Sequence, residues 1–289
     1  MTFSIVAWDP ASGDLGVAVA SKFIAVGAVV PWARAGIGAV ATQAWANVDL
    51  APAGLEMMGT GVPASDALTR ALAVDEGREE RQVGFVDARG GAATFTGSGC
   101  MTWAGGRAGE HVAAQGNILT GPEVVEVMMA TFEAALGDLC DRLLAALLAG
   151  DAAGGDRRGR QSAALLVVRE RGGYDGRDDR YVDLRVDDHP AACAELARIF
   201  GVFDTTALVR NDAAIDATPT LVAEVQRRLA ALGYADVSPT GDLDAATASA
   251  LERWAGEVNL EGRLRDDGAF SRHLLFELRD LTPEIASTD

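Results

Sequence analysis

A threonine follows the initiator methionine directly in MTFSIVAWD. Trimming of Met1 in front of so small a residue gives a free N-terminal Thr2. That residue then carries a nucleophilic hydroxyl together with its own base, the α-amine. Many chains begin Met-Thr with no chemistry attached, so the pair needs support from the rest of the sequence. Ser4, two residues further in, has no α-amine to use and is the weaker candidate. Ser21 and Lys22 end the second predicted strand, which in a hairpin starting at Thr2 returns toward the beginning of the first. A lysine ammonium beside the nucleophile lowers the pKa of hydroxyl and amine alike, and lysine tunes its proton affinity where arginine cannot. Lys22 is the only lysine in a chain with 24 arginines (25 − 1). A surface position at a strand end accounts for it too.

Asn117, in AAQGNILTG, closes a strand ahead of a helix. Its side-chain amide, or backbone N–H groups of the Gly116-Asn117 turn, suits an oxyanion site; a helix-initiating turn is the alternative. Thr42 and Gln43 are polar where the fourth strand's pattern calls for apolar residues, which fits a cleft floor or a solvated strand end. In RYVDLRVDD, Asp183, Arg185 and Asp187 alternate with Val182, Leu184 and Val186. They therefore share one face, either for recognising a charged substrate or as a solvated row. GGDRRGR offers Arg157, Arg158 and Arg160 to an anion, though no nucleotide-binding glycine pattern accompanies it and a mobile loop is the default. The acidic run at 175–188 lacks the EF-hand order. No metal and no cofactor are expected.

Composition narrows the classes. A net charge of −17 over 289 residues opposes binding to a phosphate backbone or an anionic membrane. The apolar runs are too short for a membrane span, and no charged-then-apolar leader opens the chain. Cys100, Cys140 and Cys193 are odd in number and far apart, which reads as a reducing compartment; His111, His189 and His273 are equally scattered. A cytoplasmic protein is expected.

The elements that must position these residues follow from periodicity. FSIVAWD and LGVAVAS flank the turn cluster PASGD as a hairpin. VGAVVPWA and IGAVATQAW read as strands covered on both faces. Helices at APAGLEMMGT and PASDALTRALAVD follow, then strands QVGFVDA and AATFTG. A glycine-rich region leads through Asn117 to helices PEVVEVMMATFEAAL and CDRLLAALLAG. Strands SAALLVVRE and RYVDLRVDD and a helix near 191–209 close the first domain. This order lacks strict βαβ alternation and fits an α+β protein, two stacked antiparallel sheets with helices outside, an αββα sandwich. Residues 1–212 form that domain. NDAAIDATPT reads as a linker, and 220–280 as a small all-α domain in which Leu221, Val225, Leu229 and Leu232 share a helix face. The tail LTPEIASTD reads as frayed.

The segments TFSIVAWD, LGVAVASKFIAVGAVVPWA, GIGAVATQA, RQVGFVD, AAQGNILTG, GGDRRGRQSAALLVV and RYVDLRVDDHP resemble, in number and order, domain-of-unknown-function family 1028 of bacteria and archaea. The likeness covers about residues 1–210. That family is classed with the N-terminal-nucleophile hydrolases, so the resemblance implies a four-layer αββα fold of that type and cleavage of an amide bond, with Thr2 where the class places its nucleophile. VQRRLAALGY and GDLDAATASAL resemble a peptidoglycan-binding-like domain. Without a leader, such a module meets only muropeptide fragments under synthesis or recycling, and a lid or dimer contact is an equal use of it.

The reading is a hydrolase of a small-molecule amide or peptide, carried by Thr2 with Ser21, Lys22 and Asn117 and with Thr42, Gln43, Asp183, Arg185 and Asp187 on the substrate. A homo-oligomer is expected, with no nucleic-acid or membrane partner. The rivals are a non-catalytic protein binding a metabolite or muropeptide, and a self-associating protein whose second module serves assembly alone.

Overall fold

A computed structural model describes residues 2–208, 210, 212–234 and 237–287. The chain divides into two compact units, Met1–Ile199 and Phe200–Asp289. In the first, strands β1 (Thr2–Trp8), β2 (Leu15–Ser21), β3 (Pro31–Arg34) and β4 (Gly38–Ala44) precede helices α1 (Leu50–Gly59) and α2 (Ala64–Ala73). Strands β5 (Arg81–Asp87), β6 (Ala92–Thr96), β7 (Gly105–Ala108) and β8 (Val112–Asn117) follow. Helices α3 (Glu123–Ala134) and α4 (Leu139–Ala152), strands β9 (Ser162–Val168) and β10 (Arg180–Val186), and helix α5 (Ala192–Phe203) complete the series. The boundary between the units falls within α5.

Two antiparallel sheets result, one in the order β10-β9-β2-β1-β8-β7 and one in the order β3-β4-β5-β6. Strand alternation decides what each face does. Along β1, Phe3 and Ile5 share one face, and Gly150 of α4 lies against the Phe3 ring. Val6 on the opposite face joins Val17, Val19, Ala39, Ala41 and Val86 in an apolar layer between the sheets. Helices α1 and α2 bury Leu55, Ala67, Leu68 and Leu72 against Val40, Val83 and Phe85 of the second sheet. Gly54 brings α1 onto that sheet: a Cβ there would stand 2.2 Å from the Phe85 ring. Asp14, fully buried after the first hairpin turn, receives Arg169 of the β9 end through paired bonds of 2.8 and 2.7 Å. The Arg169 guanidinium also lies 3.8 Å over the Tyr181 ring. Asp14→Ala strands a one-third-exposed arginine, and a loss of about 2–3 kcal/mol is expected in chemical denaturation of the full chain.

The second unit comprises β11 (Ala214–Asp216), α6 (Pro219–Ala231), α7 (Ala245–Glu257), β12 (Ala269–Ser271) and α8 (Arg272–Asp280). Its core gathers Val222, Val225, Leu229, Leu251, Trp254, Leu274 and Leu278.

Several expectations change. The unit is not all-α: β11 pairs antiparallel with β12, so part of the expected linker is a strand whose Ile215 packs on the core. Three residues are too few to show alternation. Within the described residues, which end at Ser287, the tail is held rather than frayed, because Arg228 donates to the carbonyls of Thr282 and Ile285. The stretch expected as a strand from Val26 begins instead with a turn of 3-10 helix, Val26–Ala28. The helix expected to reach 209 is α-helical to Phe203 and continues as a π-helical stretch, Asp204–Leu208; residue 209 itself lies outside the described residues. Strand β7 was hidden because Gly105-Gly106-Arg107-Ala108 has no β-branched or aromatic residue to mark it.

Candidate active site

Strand register brings the candidates together. Thr2 stands opposite Asn117 of β8, and the pairing of Phe3 with Ala20 sets it against Ser21 of β2. Thr2 shares its strand face with Ser4 and Val6, so its side chain points into the space between the sheets. There Thr2 Oγ1 lies 3.1 Å from Ser21 Oγ, both residues being buried. Met1 lies outside the described residues.

Beneath this pair runs a lattice of buried carboxamides. Gln43 Nε2 donates to the Thr2 carbonyl at 3.3 Å and to Gln82 Oε1 at 2.8 Å. Gln82 Oε1 also accepts from Asn117 Nδ2 at 2.8 Å, while Gln82 Nε2 donates to the Gly116 carbonyl at 2.7 Å. Ser4 Oγ donates to Gln43 Oε1 and accepts from Gln115 Nε2, each at 2.7 Å. Gly84 makes room for Gln115, whose Oε1 would meet a Cβ there at 2.2 Å. Gln82 and Gln115 went unremarked in the sequence, yet both are completely buried on their strands. Gln82→Met keeps the length and removes two acceptor contacts and several donor contacts. It is expected to cost about 2–4 kcal/mol, read as a lower thermal midpoint.

A cleft of about 530 Å³ opens over Thr2, Gln43 and Asn117. Its walls include Phe23, Val26, Val30, Trp45, Cys100, Ile118, Glu80 and Arg158. Two residues on its wall hold left-handed backbone without being glycine: Ala44 at φ 68° directly after Gln43, and Ile118 at φ 51° directly after Asn117. Such conformations cost about 1–3 kcal/mol and concentrate at functional sites. Each turns the chain away at the end of a strand and leaves a carboxamide at the cleft floor. Burial pushes the Cys100 thiol up from its ordinary value. At the rim, Arg81 donates to the Trp45 carbonyl at 2.7 Å. The same guanidinium bonds Asp75 and holds that carboxyl down at about 2.

The other candidates lie elsewhere. Lys22 follows Ser21 by one residue and so takes the opposite face; it is exposed, and its ammonium donates to the Arg160 carbonyl at 3.2 Å. Its backbone N–H, in contrast, donates to buried Asp156 at 2.7 Å. Thr42 shares the helix-facing side of β4 with Val40, and its hydroxyl bonds the Asn47 carbonyl. Asp183 and Arg185 pair with each other on the edge strand β10, three strand spacings or about 14 Å from β1. Both line a different groove, beside β3. Asp187 is exposed just past the end of β10. Asp138, Cys140 and Asp141 bring ligand-type atoms within 4.8 Å of one another. The two carboxylates there form the capping box of α4, and Cys140 is wholly buried.

The first unit is therefore a mixed α/β protein of two antiparallel sheets, with a buried hydroxyl pair at the floor of a cleft where its central strand begins. Residues 2–196 match the model described as "Family of unknown function (DUF1028)", and the chain belongs to that family. Residues 209–276 match the model described as "Putative peptidoglycan binding domain". Among solved structures, the crystal structure of a DUF1028 protein from Silicibacter pomeroyi is 32% identical with a TM-score of 0.65, covering 70% of this chain and 86% of that one. A search of curated proteins found no match. Among the described residues, no helix is long and apolar enough to cross a membrane.

Proposed function

We propose that the first unit is an N-terminal-nucleophile hydrolase of the four-layer αββα type, cleaving the C–N bond of a small amide or peptide. The observation that carries this is the Thr2 hydroxyl at the floor of the cleft, 3.1 Å from Ser21 Oγ. Supporting it is the packing of α1 and α2 on the second sheet and of α3 and α4 on the first, with the sheets face to face.

After loss of Met1, the Thr2 α-amine accepts the Oγ1 proton as Oγ1 attacks the amide carbon. The amine proton passes to the leaving nitrogen as the C–N bond breaks, leaving an ester on Thr2. Water, deprotonated by the same α-amine, then releases the acid. Ser21 orients the Thr2 hydroxyl. Asn117 spends one of its two amide N–H groups on Gln82 and keeps the other for the oxyanion. Lys22 acts through its backbone, docked on Asp156 beside Ser21. In this reading Gln43 holds the Thr2 backbone, and the Asp183–Arg185 row and Thr42 serve the scaffold. Edman sequencing should find Thr2 at the mature N-terminus. A β-lactone probe should add one acyl mass to that residue by mass spectrometry, and a chain that keeps Met1 in the cell defeats the mechanism.

The second unit's likeness to a peptidoglycan-binding domain favours muropeptide fragments as its ligand. Titration of the full chain with soluble muropeptides tests that assignment.

A further inference from the structure

Charge in the cleft is sparse. Among the described residues that line it, only Glu80 and Arg158 are charged. Arg158 comes from the loop between α4 and β9, and Asp156 fixes that loop. The Asp156 carboxylate, 3% exposed, accepts the Lys22 backbone N–H at 2.7 Å, the Arg158 backbone N–H at 2.9 Å and the Arg158 guanidinium at 3.3 Å. One buried anion thus ties the arginine to the end of β2, beside Ser21. The Arg158 side chain is nonetheless 44% exposed, on the cleft wall. At the cleft mouth, Phe23, Trp45 and Met101 are 53%, 72% and 61% exposed, an apolar rim around a polar floor.

From this we infer that the ligand of the Thr2 cleft is an amide carrying a carboxylate beyond its nitrogen and an apolar acyl group, in the manner of an N-acyl amino acid. Arg158 pairs with the carboxylate through a planar fork suited to it. The rim covers the acyl group, and Glu80 repels the carboxylate from the reverse orientation. The inference rests on the Thr2 cleft being the substrate site of the proposed hydrolase, and goes further by naming what that site selects.

Binding separates it from catalysis. The probes are 4-oxo-5-phenylpentanoate, which replaces the amide N–H of N-phenylacetylglycine by a methylene and cannot be hydrolysed, and its neutral carboxamide. Calorimetric titration of the full chain should show the acid binding about 10–100-fold more tightly than the carboxamide. Arg158→Met should erase that preference and Arg158→Lys should keep part of it. Because Asp156 retains both backbone contacts, little change in melting temperature is expected in either variant. Raising the salt concentration should narrow the wild-type preference, an arm that needs no variant. Equal affinity for acid and carboxamide, no binding of either at millimolar concentration, or a preference that survives Arg158→Met overturns the inference. Release of phenylacetate from N-phenylacetylglycine is followed separately. Acid-selective binding without hydrolysis leaves this inference standing and sinks the catalytic reading. Hydrolysis of neutral and anionic amides alike does the reverse.

Discussion

Arg228→Met unfolds the second unit while leaving the first intact. Arg228 is 1% exposed and donates to five acceptors: Glu224 at 2.8 Å, the Thr282 carbonyl and hydroxyl at 2.7 and 2.8 Å, the Ile285 carbonyl at 2.7 Å and Ser287 Oγ at 3.1 Å. Methionine fills the volume but donates nothing. Glu224, equally buried, then keeps only Arg279 from the set of bonds described, and the tail carbonyls lose their partners. Removing one member of a buried pair costs about 3–5 kcal/mol. Two stranded carbonyls add to that, against a total of about 5–13 kcal/mol for a unit of this size. Hydrogen exchange by mass spectrometry on the full chain reads the effect locally: amides of α6 and α7 should lose most of their protection while those of β1 and β8 keep theirs. The double variant Glu224→Leu with Arg228→Met should recover part of it, since no buried charge is then left alone. Unchanged protection in Arg228→Met would show that the cluster is not what holds the tail.

How much of this could be read beforehand depends on which interactions are local. The helices α1 to α4 were legible because their apolar positions recur within one turn, as with Leu68 and Leu72. The strands β1, β2, β5, β9 and β10 were legible because their alternation or apolar runs span five or more residues. Ser21 was found beside Thr2 because hairpin geometry puts a strand's end beside its partner's start, whereas Asn117 was picked only as a strand end and is brought to Thr2 by the pairing of β1 with β8. The side of the strand was harder. Lys22 follows Ser21 by one residue, and only the register of β1 with β2 shows that it turns outward. Thr42 and Gln43 present the same problem, resolved by Gln43 lying opposite Gln82 across β4 and β5. The carboxamide lattice escaped notice since its members lie far apart in sequence and a lone glutamine in a strand carries no periodic signal. Arg228 and Glu224 escaped for a related reason. An i, i+4 ion pair on an amphipathic helix reads as solvated surface, and only the returning tail buries it.

Thr2→Ala removes turnover and covalent labelling together, with a loss of about 10³–10⁶-fold in kcat/KM. The range follows from what remains. The α-amine, the cleft and Asn117 still bind the amide and polarise its carbonyl, so hydrolysis falls back to water attack without a covalent step. Stability should change little. Thr2 is only 6% exposed, but its hydroxyl contact described here is with Ser21, another hydroxyl, and its carbonyl bond to Gln43 survives the substitution. A melting temperature close to wild type alongside lost activity therefore assigns the effect to chemistry. Thr2→Ser keeps the hydroxyl and the α-amine and should retain part of the activity, weakened because a serine lacks the methyl that fixes χ1. Ser21→Ala is the graded member of the series. It leaves the nucleophile and its base in place and removes the 3.1 Å contact to Thr2, so a loss of about 10-fold is expected, with kcat falling and KM little changed. If Thr2→Ala is labelled and turns over as wild type does, Thr2 is not the nucleophile, and the cleft is left as a binding site whose buried hydroxyls serve to hold a ligand.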